Sequence, residues 1–442
     1  MKKQLLTALL TIAACTWAQA ATFTVDTETD LNDSIAGDGI CGTGAAGTCS
    51  LRAAIQEANA LPSADTISLP AGHYVLTRLP LAGNVLGIAS DITINGMGAS
   101  PGATIINGNG DRIVLQVFGS STVNLNNLAI VGGAGNGSSH GGGMYIGGGT
   151  TTLSQVVIQG NNAAGSTTQQ GGGIYVYETA TLNLIDSEVS NNTATNGGGG
   201  VSVRSLATAH ISRSTIRANS LTNPGANGGG IDNDGTLDIV NSTISGNTSA
   251  GGGGGISVGG EGAASISFTT IANNASSAGG GQLEVFGSFN PTAHISGSIV
   301  ANPSAGLNCR LQAGAVTSDG YNLDSGTSCG FGAAGDIANT NPLLGPLSYN
   351  SSPLPTQTHA LQAGSPAVNA GPTSGSLPAT DERGAARVQM GRADIGAFES
   401  ALGAPAGPGN VQAVPVDNPL ALVLTALGLL GWARHRKINP KT

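Results

Sequence analysis

Residues 171–191 read Gly-Gly-Gly-Ile-Tyr-Val-Tyr-Glu-Thr-Ala-Thr-Leu-Asn-Leu-Ile-Asp-Ser-Glu-Val-Ser-Asn. The stretch opens with a glycine run and an apolar residue, and it closes with an apolar-polar segment that ends in Asn. The same pattern recurs through the middle of the chain. A fixed period of 25–30 residues predicts a solenoid in which each period is one coil. The residues that follow the glycine runs are Met144, Ile174, Val201, Ile231, Ile256 and Leu283.

Apolar and polar residues alternate within each period, as in Thr181–Leu184 and Thr236–Ile239. Successive side chains of a strand point to opposite faces, so the alternation predicts strands. The 71 glycines argue against a helical repeat. The chain is therefore predicted to be all-β, with each period forming one turn of a β-helix. A second apolar ladder keeps the same period: Ile158, Val189, Ile216, Ile244, Ile271 and Ile299.

Five asparagines fall at one predicted corner of the coils. Side-chain amides stacked in this way can hydrogen-bond from coil to coil as a ladder. The alternative is that each Asn merely tolerates a turn. The five are Asn161, Asn191, Asn219, Asn247 and Asn273.

The two ends of the chain carry export and anchoring signals. Residues 1–20 combine a basic start, an apolar run and a small-residue site, which predicts a secretory signal cleaved between Ala20 and Ala21. A lipoprotein signal ending at Cys15 is the competing interpretation. Residues 403–418 form a linker rich in Pro, Gly and Ala, and residues 419–442 are an apolar run with a basic end. This tail is short for a full span, so we expect a sorting tail that holds the protein in the inner membrane at least transiently.

Cysteine content and charge fit an exported protein. Four Cys remain after removal of the signal, and we expect two local disulfides, Cys41 with Cys49 and Cys309 with Cys329. A four-Cys metal site is disfavoured because the spacing is wrong. Residues 21–402 contain ten Arg and no Lys against 24 carboxylates, a formal charge of −14, which argues against nucleic acid as a partner. We expect a monomer.

Three segments resemble known families. Residues 49–59, within a cap predicted over 21–62, resemble the CSLREAI motif of exported bacterial β-helix proteins, with Ala53 where the family has Glu. Ser50 would cap a short helix whose apolar stripe covers the open end of the solenoid. Residues 341–402, with motifs such as Gly364–Gly371 and Asp394–Glu399, resemble the choice-of-anchor Q domain. That family precedes surface-anchoring tails, and the tail here resembles IPTL- or PEP-type sorting signals.

The repeats over residues 63–340 resemble right-handed parallel β-helices of the pectin-lyase-like superfamily, including Asp91–Gly96 and Thr104–Gly110. The expected architecture is thus a right-handed parallel β-helix with a short N-terminal capping helix and a C-terminal cap domain. The resemblance implies contact with polysaccharide but no particular activity, since one fold hosts many functions.

Alignment of the coils on the glycine runs assembles one candidate ligand patch. Aromatic faces beside carboxylates and a guanidinium suit a polysaccharide, and two carboxylates with an Arg could also hold Ca²⁺ and abstract a proton from a uronate. The alternatives are an ordinary cross-strand ion pair with packed tyrosines, or an alignment slip by one residue that turns the patch inward. The patch comprises Tyr175, Tyr177, Arg204, Asp232 and Asp234.

Other candidates are weaker. Asp186 and Arg213 are expected to form a salt bridge, and Asp33 with Asp38 could hold Ca²⁺ but more simply mark a turn. His140 resembles the histidine of β-helix glycoside hydrolases, yet no Asp-Asp dipeptide occurs in the chain. We expect no cofactor, with Ca²⁺ as the alternative.

The sequence therefore favours a non-catalytic protein of the cell surface or the medium, with a structural or adhesive role and contact with polysaccharide or other envelope material. A polysaccharide lyase or glycoside hydrolase is one alternative. A glycan-binding module without catalysis is the other.

Overall fold

The structure is a computed structural model that describes residues 19–44, 48–77, 85–135, 140–375 and 377–403. Most of the predicted signal segment, Cys15, and nearly all of the predicted linker and tail lie outside the described residues. Within the described residues, no helix is long and apolar enough to cross a membrane.

Three long parallel sheets run along a solenoid, and each coil contributes a strand to each sheet. The described strands of the 11-stranded sheet are, in order, Thr22–Thr24, Asp65–Leu69, Ile92–Gly96, Thr122–Asn126, Thr150–Ser154, Thr181–Ile185, Thr208–Ser212, Thr236–Val240, Ala263–Ser267, Thr292–Ser296 and Ala315–Gly320. Those of the 10-stranded sheet are Gly72–Val75, Thr104–Asn107, Ala129–Val131, Val157–Gln159, Glu188–Ser190, Thr215–Arg217, Thr243–Ser245, Thr270–Ala272, Ile299–Ala301 and Leu323–Asp324.

The third sheet contains the strands that follow the glycine runs. Its described order is Asn162–Ala163, Thr193–Ala194, Ser220–Leu221, Thr248–Ser249, Ala275–Val285, Ile256–Val258, Ile231–Asn233, Val201–Val203, Ile174–Val176, Met144–Ile146, Leu115–Val117 and Leu86–Ile88, with Ala305–Leu311 paired to Ala275–Val285. A small antiparallel sheet pairs Leu344–Ser348 with Thr358–Leu361.

The predicted coil register is confirmed for the ladder that follows the glycine runs, because Met144, Ile174, Val201, Ile231, Ile256 and Leu283 pair in succession. All six are fully buried in the core. The second ladder is correct up to Ile271 and then slips by one: Ile271 pairs with Val300, while Ile299 pairs with Thr270. Ile299 points outward and is buried against residues of the C-terminal segment. Because it is apolar, the sequence pattern wrongly predicts that it points into the core.

The asparagine ladder exists, with two of its five positions shifted by one. The buried amides belong to Asn161, Asn192, Asn219, Asn247 and Asn274, and each donates through Nδ2 to the Oδ1 of the next at 2.9–3.0 Å. Gln282 continues the ladder, since its Oε1 accepts from Asn274 at 2.6 Å. Asn191 and Asn273 instead occupy the preceding corner position, with φ of 54° and 59°.

The N-terminal end carries the expected helix, Leu51–Ala60. Ser50 caps it, and the Ser50 side chain accepts a hydrogen bond from the backbone N–H of Ala53 at 3.1 Å. The predicted apolar stripe is buried: Leu51, Ala54, Ile55 and Ala58. A short 3₁₀ helix spans Pro101–Ala103.

Both predicted disulfides are present. Cys41 bonds Cys49 beside the helix, and Cys309 bonds Cys329 beside the last described coils. Each closes a short loop near one end of the solenoid, where the coils have a neighbour on one side only, and the bond restrains local unfolding there.

Residues 344–402 pack along the flank of the solenoid, against the outer face of the 10-stranded sheet. Glu382 is fully buried there and contacts the hydroxyls of Thr215 at 3.0 Å and Thr243 at 2.5 Å. His359 and Ser245 form a second buried contact at 2.9 Å. Outward threonines and serines of this sheet thus serve as hydrogen-bond partners for the C-terminal segment.

Candidate functional site

The candidate patch lies on the sheet that follows the glycine runs. Tyr175, Ser202 and Asp232 pair directly on successive coils. The residues just past these strands form the adjoining column, because Tyr177, Arg204 and Asp234 each donate a backbone bond to the preceding coil. The structure therefore brings all five predicted patch residues onto neighbouring coils.

Four rings stack at one end of the patch. The ring centroid of Tyr175 lies 4.5 Å from that of His140, 5.6 Å from that of Tyr145 and 5.9 Å from that of Tyr177, with interplanar angles of 15–26°. Phe118 is two coils from Tyr177 in the same column, and a glycine, Gly147, separates them. Phe118 and Tyr177 are 41% and 39% exposed. We call the three more accessible aromatic residues, Phe118, Tyr145 and Tyr177, the aromatic platform.

An acid–arginine cluster continues the patch on the next coils. Nη1 of Arg204 lies 2.5 Å from Asp234 Oδ2 and 3.8 Å from Asp232 Oδ2. One guanidinium therefore serves two carboxylates. Ser202 and Ser257, the strand neighbours of Asp232, are fully buried.

Burial perturbs the acid–base properties of the patch. Burial, reinforced by the Asp234 carboxylate, raises the pKa of Asp232 to about 7. Burial also raises the pKa of Tyr175 to about 12. Burial and then the charge of Arg204 lower the pKa of His140, so its imidazole is neutral at pH 7. Its Nδ1 accepts a bond from the backbone N–H of Gln170 at 3.2 Å.

Two of the predicted residues are less accessible than an outward column implies. Tyr175 is 4% exposed because His140 stacks over its ring. Asp232 is 7% exposed, and a side chain at Gly197 would lie 2.5 Å from its Oδ2. The segments before the glycine runs thus fold over this column. Tyr175 supports the platform, and the accessible ring surface comes from Tyr177, Tyr145 and Phe118.

The platform could have been found more completely from the sequence. Tyr145 directly follows Met144, so the glycine-run alignment puts it in the column of Tyr175, and the predicted patch does not include it. Phe118 belongs to a coil that lacks a preceding glycine run, so no pattern in the repeat marked it. His140 was recognised only for a family resemblance, whereas here its ring covers Tyr175.

The remaining candidates have structural partners. Arg213 donates to Asp186 through two bonds of 2.6 and 2.9 Å, which confirms the predicted salt bridge. Asp33 Oδ1 accepts from the backbone N–H of Gly42, and Asp38 Oδ1 accepts from that of Ile40. Among the described residues, no cluster of three or more His, Cys, Asp or Glu side chains is arranged to hold a metal ion.

Comparison with known proteins concerns the fold. A family model described as "Right handed beta helix region" matches residues 142–323. The solenoid is a right-handed β-helix. The crystal structure of pectate lyase Pel9A is similar at a TM-score of 0.47 and 14% identity, over 86% of this chain and 96% of that one. Among curated proteins, none matches the sequence. The CSLREAI, choice-of-anchor Q and sorting-tail resemblances stay predictions.

Proposed function

We propose that this protein is an exported β-helix that binds polysaccharide on the aromatic platform without cleaving it, in a structural or adhesive role at the cell surface or in the surrounding medium. The observation that carries the proposal is the platform itself. Its three aromatic residues come from three consecutive coils, whose backbones span about 10 Å at the usual spacing of strands, and the Phe118 ring approaches Gly87 on the coil before. All three rings offer flat apolar faces, the two tyrosines add a hydroxyl, and the adjoining Arg204 and Asp234 offer hydrogen bonds.

The acid–arginine cluster fits binding better than catalysis. A general base needs to reach the substrate proton, and Asp232 is 7% exposed. Asp234 is held by Arg204 at 2.5 Å. Two disulfides support an oxidising compartment and thus export. We do not assign Ca²⁺ to the cluster, because Asp234 is already engaged by the guanidinium of Arg204 and Asp232 is buried.

Binding to immobilised or gel-embedded polysaccharides tests the proposal. Tyr177→Ala should weaken binding by about 5–30-fold, the effect of removing a central aromatic contact. Tyr349→Ala is the matched control, because Tyr349 is 54% exposed but belongs to the C-terminal segment. Equal losses in the two variants, or binding that survives Tyr177→Ala unchanged, would refute the role of the platform.

One observation favours a second candidate, a polysaccharide lyase. The pKa of Asp232, raised to about 7, lies in the range that suits a general base. Incubation with a polysaccharide panel, with and without Ca²⁺, would reveal cleavage as smaller products and new ultraviolet absorbance. Cleavage that disappears in Asp232→Asn would replace our proposal with the lyase.

A further inference from the structure

The described part of the molecule offers little uncompensated positive charge. Residues 21–402 contain ten Arg and no Lys against 24 carboxylates. Among the described arginines, Arg392 donates to the carbonyls of Ala370 and Gly371, and Arg112 is 9% exposed. The others form ion pairs with carboxylates: Arg52, Arg204, Arg213, Arg217, Arg310, Arg383 and Arg387.

The surroundings of the aromatic platform repeat this imbalance. Asp232 and Asp234 share the single guanidinium of Arg204. Glu178 follows Tyr177 in the chain and is exposed. Among these described residues, three carboxyl groups therefore accompany one cation, and that cation is already engaged at 2.5 Å.

We propose that the platform selects uncharged polysaccharide and rejects polyuronates. This inference rests on the proposed function and adds the class of ligand. An uncharged sugar can stack on the rings and hydrogen-bond to the Arg204–Asp234 pair without disturbing it. A uronate must approach these carboxylates, and the one arginine of the described acid–arginine cluster, Arg204, is already paired with Asp234.

The repulsion is large enough to measure. Two unit charges about 6 Å apart in water repel by an amount that corresponds to about a threefold loss of affinity. The exposed carboxylate of Glu178 thus predicts about a threefold preference for an uncharged polymer over its acidic counterpart, and the acid–arginine cluster, with two carboxyl groups to one guanidinium, adds to it. Salt screens such exposed charges, so the preference should shrink between about 0.02 M and about 0.5 M salt.

Matched polymers isolate the charge from the sugar backbone. We would measure binding of the full chain by affinity electrophoresis to polygalacturonate and its methyl ester, and to carboxymethylcellulose and hydroxyethylcellulose, at both salt concentrations. Each measurement is made with chelator and again with Ca²⁺. Tighter binding to the uncharged member of either pair, diminishing with salt, is the expected result.

Two variants locate the effect. Asp234→Asn removes one carboxylate and leaves Arg204 with Asp232 as its single partner among the described carboxylates, so binding of the acidic polymers should rise by about threefold. Asp238→Asn removes the same charge from the exposed face of the 11-stranded sheet, where Asp238 pairs with His210 at 2.9 Å. This control should leave the preference unchanged.

The outcomes separate this inference from the proposed function. Binding to none of the polymers would contradict the proposed function itself. Binding that is equal or tighter for the acidic member, with chelator or with Ca²⁺, would overturn the selectivity while the platform remains a glycan site. The electrostatic explanation would be overturned by a preference that does not change with salt concentration. It would also be overturned if Asp238→Asn changed the preference as much as Asp234→Asn.

Discussion

Replacing Asn219 by alanine measures how strongly the amide ladder holds neighbouring coils together. The Asn219 side chain is fully buried. Its Nδ2 donates to the carbonyl of Val189 and to Oδ1 of Asn247, both at 3.0 Å. Its Oδ1 accepts from the backbone N–H and the Nδ2 of Asn192, again at 3.0 Å. Alanine removes all four bonds and leaves the partners without access to water.

The expected loss follows from the groups left behind. A buried polar group without a partner costs about 1–3 kcal/mol. The backbone N–H of Asn192 loses the bond to Oδ1 that it makes in the ladder, and the carbonyl of Val189 loses its bond from Nδ2. With the small cavity added, Asn219→Ala should lower the free energy of unfolding by about 3–5 kcal/mol, a large share of the roughly 5–15 kcal/mol of an ordinary protein.

Urea unfolding followed by far-ultraviolet circular dichroism gives the comparison. Asn183→Ala is the matched control, because Asn183 lies on the outer face of the 11-stranded sheet, where its side chain donates to the Thr152 hydroxyl at 3.3 Å. The control should cost less than about 1 kcal/mol. If Asn219→Ala costs no more than Asn183→Ala, the ladder bonds do no more than offset the desolvation of the amides, and the reasoning fails.

Two further predictions concern packing and pH. Gly172→Ala should lower the free energy of unfolding by about 3 kcal/mol or more, because a Cβ there would lie 2.3 Å from the carbonyl oxygen of Gly199. Gly225→Ala is the control, because a Cβ there meets open space. Equal urea midpoints for the two variants would contradict this prediction. Burial raises the pKa of Glu382 well above 4.5, so the folded protein keeps a proton that the unfolded chain releases. Its contribution to stability is therefore complete below about pH 4.5 and is lost as the pH rises. In Glu382→Gln the melting temperature should therefore decrease less as the pH rises. A decrease as steep as in the unaltered protein would refute this role of Glu382.

The coil period was predictable because sterics at the corners require glycine. A Cβ on Gly200 would lie 2.8 Å from the carbonyl oxygen of Gly230 in the next coil, and one on Gly172 would clash as well. The requirement repeats at each coil, so the glycines mark the period in the sequence. Counting from them placed Tyr177, Arg204 and Asp234 in one column.

Accessibility within the patch was not predictable in the same way. The segments between the asparagine corner and the glycine run differ in length from coil to coil, and their path decides which side chains they cover. His140 comes from such a segment and lies over Tyr175. The alternation of a strand separates inward from outward positions, but it does not say whether an outward position is open to water.

The sequence itself indicates which asparagine of each Asn-Asn pair enters the ladder. The residue before each ladder amide adopts positive φ, and it is Gly160, Asn191, Ala218, Gly246 and Asn273 in turn. Asn and Gly tolerate that conformation well, so in an Asn-Asn pair either residue could take the corner. After Gly160 the corner is already filled, and the first Asn becomes the ladder amide. Where no glycine precedes the pair, the first Asn takes the corner and the second enters the ladder.

The slip at Ile299 has a different cause, and it shows where single-strand patterns fail. Thr215, Thr243 and Thr270 occupy the same outward column as Ile299. The C-terminal segment covers this column with a buried carboxyl at Thr215 and Thr243, and with the backbone of Gly396 at Ile299. Each outward residue therefore suits the part of the C-terminal segment that packs on it. Threonine hydroxyls lie where a buried carboxyl group needs hydrogen-bond partners, and an aliphatic side chain lies where the backbone packs closely. Because that cover is contributed by residues about 100 positions away, no local alternation could have told the inward Val300 from the outward Ile299.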